Sequence, residues 1–324
     1  AGAVFVQAGM YMRPQYYPQA GETIDDAYER ETAHVRKKVG ICDVTSLGKI
    51  EIVGPDAGEF LDRVYINMFS TLKVGKARYG VMLREDGIVY DDGTTSRFAE
   101  DRFFMTTTTA KAGPVMAYLE RCLEIDWPEL KVRVSSVSER WGGMAVAGPD
   151  ARATLIAAFP SVDFSNEAFP FMGVVHAEHN GAKLIFLRIS FSGEMAFEVY
   201  AESEHATDIW QTIIDAGQVH DIVPYGLETL GALRIEKGHV TGAELDGRAT
   251  LGDVHMDGMA SKKKWFVGKN LKDREGLVHP DRPQLVGLKS VDPRTPIASG
   301  SILVTDANAT AGADKQGWVS SMTY

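Results

Sequence analysis

The spacing of apolar and polar residues predicts alternating strands and amphipathic helices in the first part of the chain. Residues 21–40, GETIDDAYERETAHVRKKVG, predict a helix that Thr23 caps and Gly40 stops, with acidic residues in its first turn and basic residues in its last. Residues 49–65, KIEIVGPDAGEFLDRVY, predict an alternating strand followed by a second helix with Pro55 near its first turn.

The junction between strand and helix occurs twice. The tetrapeptide Gly-Pro-Asp-Ala stands at 54–57 and again at 148–151, each time between an alternating strand pattern and a helical one. Such an internal repeat predicts two related α+β subdomains packed side by side. A ligand is then expected between them, because pockets form preferentially at domain interfaces.

Strand patterns dominate the segments between and after these junctions. Residues 77–109 predict a β-meander of three strands, and residues 110–125 a helix. Residues 173–200 predict a hairpin that turns at Asn180-Gly181 and then a third strand on which Phe191, Met195, Phe197 and Val199 face away from Glu194, Ala196 and Glu198. Helices are predicted at 203–217 and 225–238, and strands at 284–291, 300–306 and 317–323.

These patterns predict an α+β fold with three parts. We expect a first α+β subdomain with the β-meander over 1–140 and a second α+β subdomain over 141–282. Residues 283–324 predict a small C-terminal β domain, which we expect to be truncated because residue 324 still lies in a strand-like sequence.

Composition narrows the class of protein. The chain has 324 residues with 44% hydrophobic and 24% charged residues, and its net charge is −10. The longest runs of basic residues are triplets, such as Lys262, Lys263 and Lys264, so we expect no nucleic-acid partner. No apolar run approaches the length of a membrane span, which predicts a cytoplasmic protein without a membrane partner. The isolated Cys42 and Cys122 fit no metal-binding spacing, and we expect no metal site.

Two adjacent carboxylates, Asp91 and Asp92, interrupt a predicted strand. Aspartate is depleted in strands, and side chains alternate there, so the two must point to opposite faces. Either both belong to a polar strand end before Gly93, or one enters a cleft as a general base or as an acceptor for a ligand N–H.

Two further charged residues allow two interpretations each. Glu198 either lies on an exposed strand face or lines a pocket, where it would accept hydrogen bonds from an aminopyrimidine-like edge. Arg234 on its helix either pairs with Glu236 or Glu228 or contacts a ligand. His176 and His179 point to opposite strand faces, which argues against a shared metal.

Read in order, five segments resemble the aminomethyltransferase family, which includes the T-protein of the glycine cleavage system. They are VGICDVTSLGKIEIVGPDA, RYGVMLREDGIVYDDGT, MAVAGPDA, SFSGEMAFEVY and LRIEKGHVTGAELD. Within the family, segments such as MYMRPQYYP, PYGLETLGALRIEKG and ELDGRAT resemble the carboxyl-terminal half of sarcosine oxidase alpha subunits.

The resemblance implies a tetrahydrofolate-binding fold and assigns its site residues. Asp92 matches the catalytic aspartate, Tyr79 a folate-contacting tyrosine, Glu198 the pterin-binding glutamate and Arg234 the arginine of the family motif LRxE. Phe191 stands where many relatives have a tyrosine, so a ring contact is implied without a hydroxyl hydrogen bond.

Other positions depart from the pattern of T-proteins. Thr107, Thr108 and Thr109 replace an asparagine-containing strand, Leu230 replaces an arginine, and Ser46 replaces a histidine. These departures argue against a T-protein proper.

The implied function is that of a transferase portion of a sarcosine oxidase alpha subunit. It would convert the one-carbon unit from sarcosine oxidation into 5,10-methylenetetrahydrofolate, with other oxidase subunits as partners and the flavin and NAD sites outside this chain. One alternative is a free-standing aminomethyltransferase or folate-dependent demethylase. Another is a non-catalytic folate-binding regulatory protein of the iron–sulfur maintenance type, although His239 stands where those proteins carry a cysteine.

Overall fold

The computed structural model describes residues 2–292, 295, 297–306, 308 and 315–323, and it contains fifteen strands and six α-helices. The strands are β1 (Val4–Ala8), β2 (Tyr11–Tyr16), β3 (Gly40–Asp43), β4 (Gly48–Val53), β5 (Lys76–Leu83), β6 (Val89–Ala99), β7 (Arg102–Thr107), β8 (Arg133–Ser136), β9 (Trp141–Ala147), β10 (Val174–His179), β11 (Ala182–Leu187), β12 (Ala196–Glu202), β13 (Val223–Pro224), β14 (Ile302–Val304) and β15 (Lys315–Trp318). The helices are α1 (Ile24–Lys37), α2 (Ala57–Val64), α3 (Ala112–Arg121), α4 (Ala151–Ala158), α5 (Ala206–Gly217) and α6 (Leu227–Lys237). Over the described ranges, no helix has both the length and the apolarity that crossing a bilayer requires.

Two sheets form the centre of the molecule. One has the strand order β5-β6-β7-β4-β8 and the other the order β10-β11-β12-β9-β3-β13, with β13 parallel to β3 and the other neighbours antiparallel. Helices α2 and α3 cover the outer face of the five-stranded sheet, and α4 and α5 cover that of the six-stranded sheet. The other two faces meet, where the rings of Phe104 on β7 and Tyr200 on β12 are 5.5 Å apart.

Strand β3 connects the two halves of the chain. It precedes β4 of the five-stranded sheet in sequence, yet it pairs with β9 and β13 of the six-stranded sheet. The predicted subdomain bounds, 1–140 and 141–282, stay a prediction.

The repeated Gly-Pro-Asp-Ala junctions are strand-to-helix turns, as predicted. Gly54 directly follows β4 and has φ +149°, and Gly148 directly follows β9 and has φ +125°. Both φ values lie in the region that favours glycine. A Cβ atom at Gly54 would lie 2.0 Å from the carbonyl oxygen of Lys131, and one at Gly148 would lie 2.3 Å from that of Lys38. The glycine of the repeat is therefore required by close backbone packing at both sites.

Helix α1 begins as predicted and ends earlier than predicted. Thr23 and Asp26 form a reciprocal capping box, in which each side chain accepts a hydrogen bond from the other residue's backbone N–H. Gly40 does not stop the helix, which ends at Lys37; Gly40 instead begins β3. A Cβ atom there would lie 2.6 Å from the Tyr225 ring, so this glycine is needed for packing.

The β-meander and the hairpin are confirmed, and Asn180 and Gly181 both have positive φ in the hairpin turn. The alternation predicted for residues 191–195 is wrong, because β12 begins only at Ala196. The Ser190 hydroxyl donates to the carbonyl oxygen of Glu194 (2.6 Å) and accepts from the N–H of Gly193 (3.0 Å), so these residues close a turn instead of extending the strand.

The C-terminal part contains a two-stranded sheet of β14 and β15. The strand predicted at 284–291 is wrong: these residues form no ladder, and Val286, Leu288 and Val291 are exposed, so their apolar pattern does not mark a buried face. Residue 324, on which the truncation was predicted, lies outside the described residues.

Candidate active site

Asp91 and Asp92 point to opposite faces of the five-stranded sheet, as predicted. Asp91 lies opposite Met82, in the core under the helices, and is 3% exposed. Its carboxylate accepts hydrogen bonds from the Thr108 hydroxyl (2.8 Å) and the Thr108 N–H (3.4 Å). Burial and the neighbouring Asp92 charge raise the pKa of Asp91 to about 7. Asp91 is therefore a buried carboxyl tied to the end of β7.

Asp92 lies on the other face, together with Tyr79. The Tyr79 hydroxyl donates a 2.8 Å hydrogen bond to Oδ2 of Asp92, so the turn at 84–87 does bring these two side chains together. Oδ1 of Asp92 is buried and has no hydrogen-bond partner in the described part of the chain. Burial raises the pKa of Asp92, while the Tyr79 bond and the nearby His239 act in the opposite direction. Asp92 thus offers one unused acceptor atom.

Glu198 on β12 belongs to a second pair of the same kind. The Tyr200 hydroxyl donates a 2.6 Å hydrogen bond to Oε2 of Glu198. Both side chains point toward the five-stranded sheet, because the alternate residues Phe197 and Val199 pack under the helices. Burial raises the pKa of Glu198, and the Tyr200 bond and the charge of Lys49 lower it. The interpretation of Glu198 as a residue on an exposed strand face is therefore wrong.

Lys49 on β4 lies on the face that meets the six-stranded sheet, and the sequence did not point to it. It is fully buried, and its ammonium group donates to the carbonyl oxygen of Thr45. Burial lowers its pKa to about 8, and its charge acts on Glu198. The only sequence signal was a lysine in the alternating run KIEIV. Alternation places Lys49 on the strand face opposite Ile50 and Ile52, but it does not show that this face is covered by another sheet.

Arg234 is buried in an ion pair with Glu244. Its Nη1 atom lies 2.8 Å from the Glu244 carboxylate, and its Nη2 atom donates a 2.6 Å hydrogen bond to the hydroxyl of Ser321. The predicted pairing with Glu236 or Glu228 is wrong, since Glu236 pairs with Arg36 and Glu228 accepts from Gln15. A hydrogen bond from Arg234 to Glu198 is not formed within the described residues. A ligand contact by Arg234 stays a prediction.

Phe191 stacks with His239. Their ring centroids lie 5.8 Å apart with the planes 23° from parallel, and Phe191 is 37% exposed. Nδ1 of His239 lies 2.9 Å from the Phe191 carbonyl oxygen. The loop before β12 is thereby joined to the residue that follows the end of α6. From the sequence, His239 only distinguished the chain from the iron–sulfur maintenance proteins, which carry a cysteine at this position.

A separate cavity of about 220 Å³ lies near the C-terminal part, around the ion pair of Asp253 and Arg282. It contains none of the predicted site residues. The Asp253 and Arg282 side chains that line it already pair with each other.

The two packed sheets with their covering helices form the fold of an aminomethyltransferase-like domain. The sequence pattern of the GCVT N-terminal domain family matches residues 1–264, and the chain belongs to this family. The fold agrees: the aminomethyltransferase T of the glycine cleavage system from Bartonella henselae superposes with a TM-score of 0.81 at 24% identity, over 99% of this chain and 82% of that one.

Curated relatives fall in two groups. The sarcosine oxidase subunit alpha of Rhizobium meliloti (strain 1021) is 49% identical over 327 residues, which cover 100% of this chain and 33% of that protein. The aminomethyltransferase of Halalkalibacterium halodurans is 32% identical over 275 residues, covering 82% of this chain and 72% of that protein. The chain spans about a third of the length of the sarcosine oxidase relatives. The predicted family is confirmed.

Proposed function

We propose that this chain binds tetrahydrofolate and transfers a one-carbon unit to it, as the transferase portion of a sarcosine oxidase alpha subunit. The product would be 5,10-methylenetetrahydrofolate. The observation that carries the proposal is the pair of half-buried carboxylates, Asp92 and Glu198, on facing sheets, each with a tyrosine hydroxyl on one oxygen. The high identity to sarcosine oxidase alpha subunits favours a transferase portion of such a subunit over a free-standing aminomethyltransferase.

The acceptor atoms suit the donors of a reduced pterin. A pterin presents an amino group and ring N–H groups along one edge, and a carboxylate can accept from two of them at once. Glu198 supplies such a carboxylate, and Lys49 favours its ionised form. The buried hydroxyl of Tyr225, which has no partner in the described part of the chain, lies close enough for the Glu198 charge to act on it. A buried polar atom without a hydrogen bond destabilises the folded protein, so the unpartnered Tyr225 hydroxyl supports a polar ligand beside Glu198.

Asp92 would act at the reacting end of the ligand. Bound tetrahydrofolate would supply the nitrogen atoms that take up the one-carbon unit. Oδ1 of Asp92 is the unused acceptor that would hold an amine N–H or receive its proton, while Tyr79 fixes the carboxylate through Oδ2. The exposed Phe191 ring would contact the ligand by its face or edge. Arg234 would support the site from its ion pair with Glu244.

Other parts of the oxidase would supply the one-carbon unit. The names of the relatives describe a subunit, and this chain covers a third of their length. We infer that the flavin and NAD sites lie outside this chain, and that other oxidase subunits are its partners.

The test is a titration of the 324-residue chain with tetrahydrofolate, followed by an assay for 5,10-methylenetetrahydrofolate formed from tetrahydrofolate and formaldehyde. We expect saturable binding and product formation faster than in the protein-free reaction. A well-folded chain that shows no binding would remove the proposed function, and binding without product would reduce it to a folate-binding module.

A further inference from the structure

Tyr200 is a fully buried tyrosine between the two facing sheets. Its ring meets the Phe104 ring of the five-stranded sheet edge to face, with the centroids 5.5 Å apart and the planes at 69°. Within its own sheet it lies opposite Gly143 of β9, where a Cβ atom would come within 2.9 Å of Cε1 of the Tyr200 ring. Packing therefore fixes the ring from both sides, and the missing side chain at Gly143 makes room for it.

The hydroxyl group of Tyr200 binds one oxygen of Glu198 and leaves the other open. It donates a 2.6 Å hydrogen bond to Oε2 of Glu198, which lies two residues earlier on the same face of β12. Oε1 accepts no hydrogen bond from the residues that the structure describes, and Glu198 is only half-buried. Tyr200 itself has no exposed surface, so it affects a bound ligand only through this neighbour.

Apart from Tyr200, the surroundings of Glu198 do little to orient its carboxylate. The residues opposite it on the neighbouring strands are Ala145 and Leu187, whose side chains form no hydrogen bonds. Lys49 on the facing sheet acts on Glu198 by its charge, but its ammonium group donates to a backbone carbonyl oxygen. Among the described residues, Tyr200 is therefore the one hydrogen-bond donor to the Glu198 side chain.

We propose that Tyr200 is a positioning residue for ligand binding: its hydroxyl group holds the Glu198 carboxylate in one orientation and leaves Oε1 for the N–H donors of the ligand. This inference rests on the proposed function and deepens it, since it assigns a part of the folate affinity to a residue that does not touch folate. A ligand-binding side chain is most effective when packing and hydrogen bonds fix it before the ligand arrives. The entropy cost of ordering it on binding is then smaller.

Tyr200 and Lys49 support Glu198 in different ways. Both lower the pKa of Glu198, which burial raises, and the buried Tyr225 hydroxyl also interacts with the Glu198 charge. Lys49 acts through its charge, which matters only while Glu198 is partly protonated. Tyr200 acts through a direct bond, which fixes the carboxylate even when it is fully ionised. The two contributions can therefore be separated by pH.

The first test needs no ligand. In the chain with ¹³C-labelled glutamate carboxyl groups, NMR follows the titration of Glu198, and Glu198→Gln identifies its signal. Tyr200→Phe keeps the ring and removes the hydroxyl, so the pKa of Glu198 should rise. Tyr65→Phe is the matched control, because Tyr65 is also fully buried and its hydroxyl bonds Thr95 instead. A Glu198 titration that Tyr200→Phe leaves unchanged would overturn the inference.

The second test is a double-mutant cycle on tetrahydrofolate binding. Tyr200→Phe should weaken binding about tenfold at pH 7, because a hydrogen bond to a charged group is lost. In the Glu198→Gln background the same substitution should change the affinity by less than about twofold. Tyr65→Phe should leave the affinity unchanged in both backgrounds. An equal loss from Tyr200→Phe in both backgrounds would show that Tyr200 acts by packing, and would overturn the inference.

The third test repeats the titrations from pH 6 to pH 9. The affinity lost in Lys49→Met should return as Glu198 ionises, whereas part of the loss in Tyr200→Phe should persist at pH 9. Complete recovery in Tyr200→Phe would show an effect on ionisation alone and would overturn the positioning role. Failure of the proposed function would look different, because the wild type itself would then not bind folate.

Discussion

The two facing sheets carry the same tyrosine–carboxylate pair beside different neighbours. On the five-stranded sheet, Tyr79 donates to Asp92; on the six-stranded sheet, Tyr200 donates to Glu198. The neighbours differ: burial raises the pKa of both carboxylates, and the neighbouring charge that opposes this rise comes from His239 at Asp92 and from Lys49 at Glu198. A buried carboxylate with an oxygen atom that no described residue bonds is suited to proton transfer. A carboxylate beside a lysine is kept ionised and is suited to binding.

The largest expected effect comes from removing the charge of Asp92. Asp92→Asn should slow formation of methylenetetrahydrofolate by about 10²–10⁴-fold while tetrahydrofolate still binds, because the uncharged amide is a weaker acceptor for the amine N–H and cannot receive its proton. Single-turnover kinetics and a binding titration measure the two effects separately. Asp101→Asn, an exposed position in the turn after β6, is the control. An unchanged rate in Asp92→Asn would remove the catalytic role.

The neighbouring Asp91 should instead affect stability. Its pKa is raised from 3.8 to about 7, so the folded state favours the protonated form. Its contribution to stability is complete below pH 3.8 and is lost as the pH rises to 7, a loss of up to about 4 kcal/mol. Asp91→Asn should therefore be more stable than the wild type at pH 8, with a smaller difference at pH 4.

Urea unfolding of both proteins between pH 4 and pH 8 measures this slope. Asp101→Asn should follow the wild type at every pH. Parallel curves for the wild type and Asp91→Asn would contradict the buried, proton-binding state of Asp91.

On the opposite wall, the expected effect is on affinity. Glu198→Gln should weaken tetrahydrofolate binding by roughly 10- to 100-fold, because a charged acceptor is lost, worth about 1.5–3 kcal/mol. The rate of product formation at saturating folate should change much less. If Glu198→Gln binds as tightly as the wild type, the pterin assignment of Glu198 is wrong.

The smallest expected effect comes from replacing Lys49, whose charge acts on Glu198. Lys49→Met should raise the pKa of Glu198 and weaken folate binding about tenfold at pH 7, since one pKa unit corresponds to about 1.4 kcal/mol. The loss should disappear as the pH rises and Glu198 ionises. Binding titrations from pH 6 to pH 9 measure this recovery.

Lys264→Met is the matched control for Lys49→Met. Lys264 also has a pKa lowered to about 8 by burial, but its ammonium group donates to the carbonyl oxygens of Asp62 and Tyr65. Equal losses of affinity in the two variants would show that Lys49 has no particular effect on Glu198.

The elements near the site could be predicted because they depend on local patterns. The capping box at Thr23, the Asn180-Gly181 turn and the paired Gly-Pro-Asp-Ala junctions each follow from a few adjacent residues. The opposite orientation of Asp91 and Asp92 follows from strand alternation alone. The selection of Asp92 and Glu198 as site residues needed the family resemblance as well.

The remaining features depend on contacts between distant segments. The Arg234–Glu244 pair forms across the end of α6 and the turn after it, which helical spacing does not predict. Lys49 is buried only because a second sheet covers its face of β4. His239 contacts a carbonyl oxygen in a loop 48 residues away along the chain. Local sequence contains none of these partners.

The position of β3 has a consequence for how the molecule unfolds. Its hydrogen bonds go to β9 and β13, while residues 44–47 lead directly into β4 of the other sheet. A fragment beginning at residue 141 would leave β9 with an open edge and β13 without any partner. The matching fragment 1–140 would carry β3 as a strand with nothing to pair to. We therefore expect the two sheets to melt in one cooperative transition, and separately expressed halves to regain structure only when mixed.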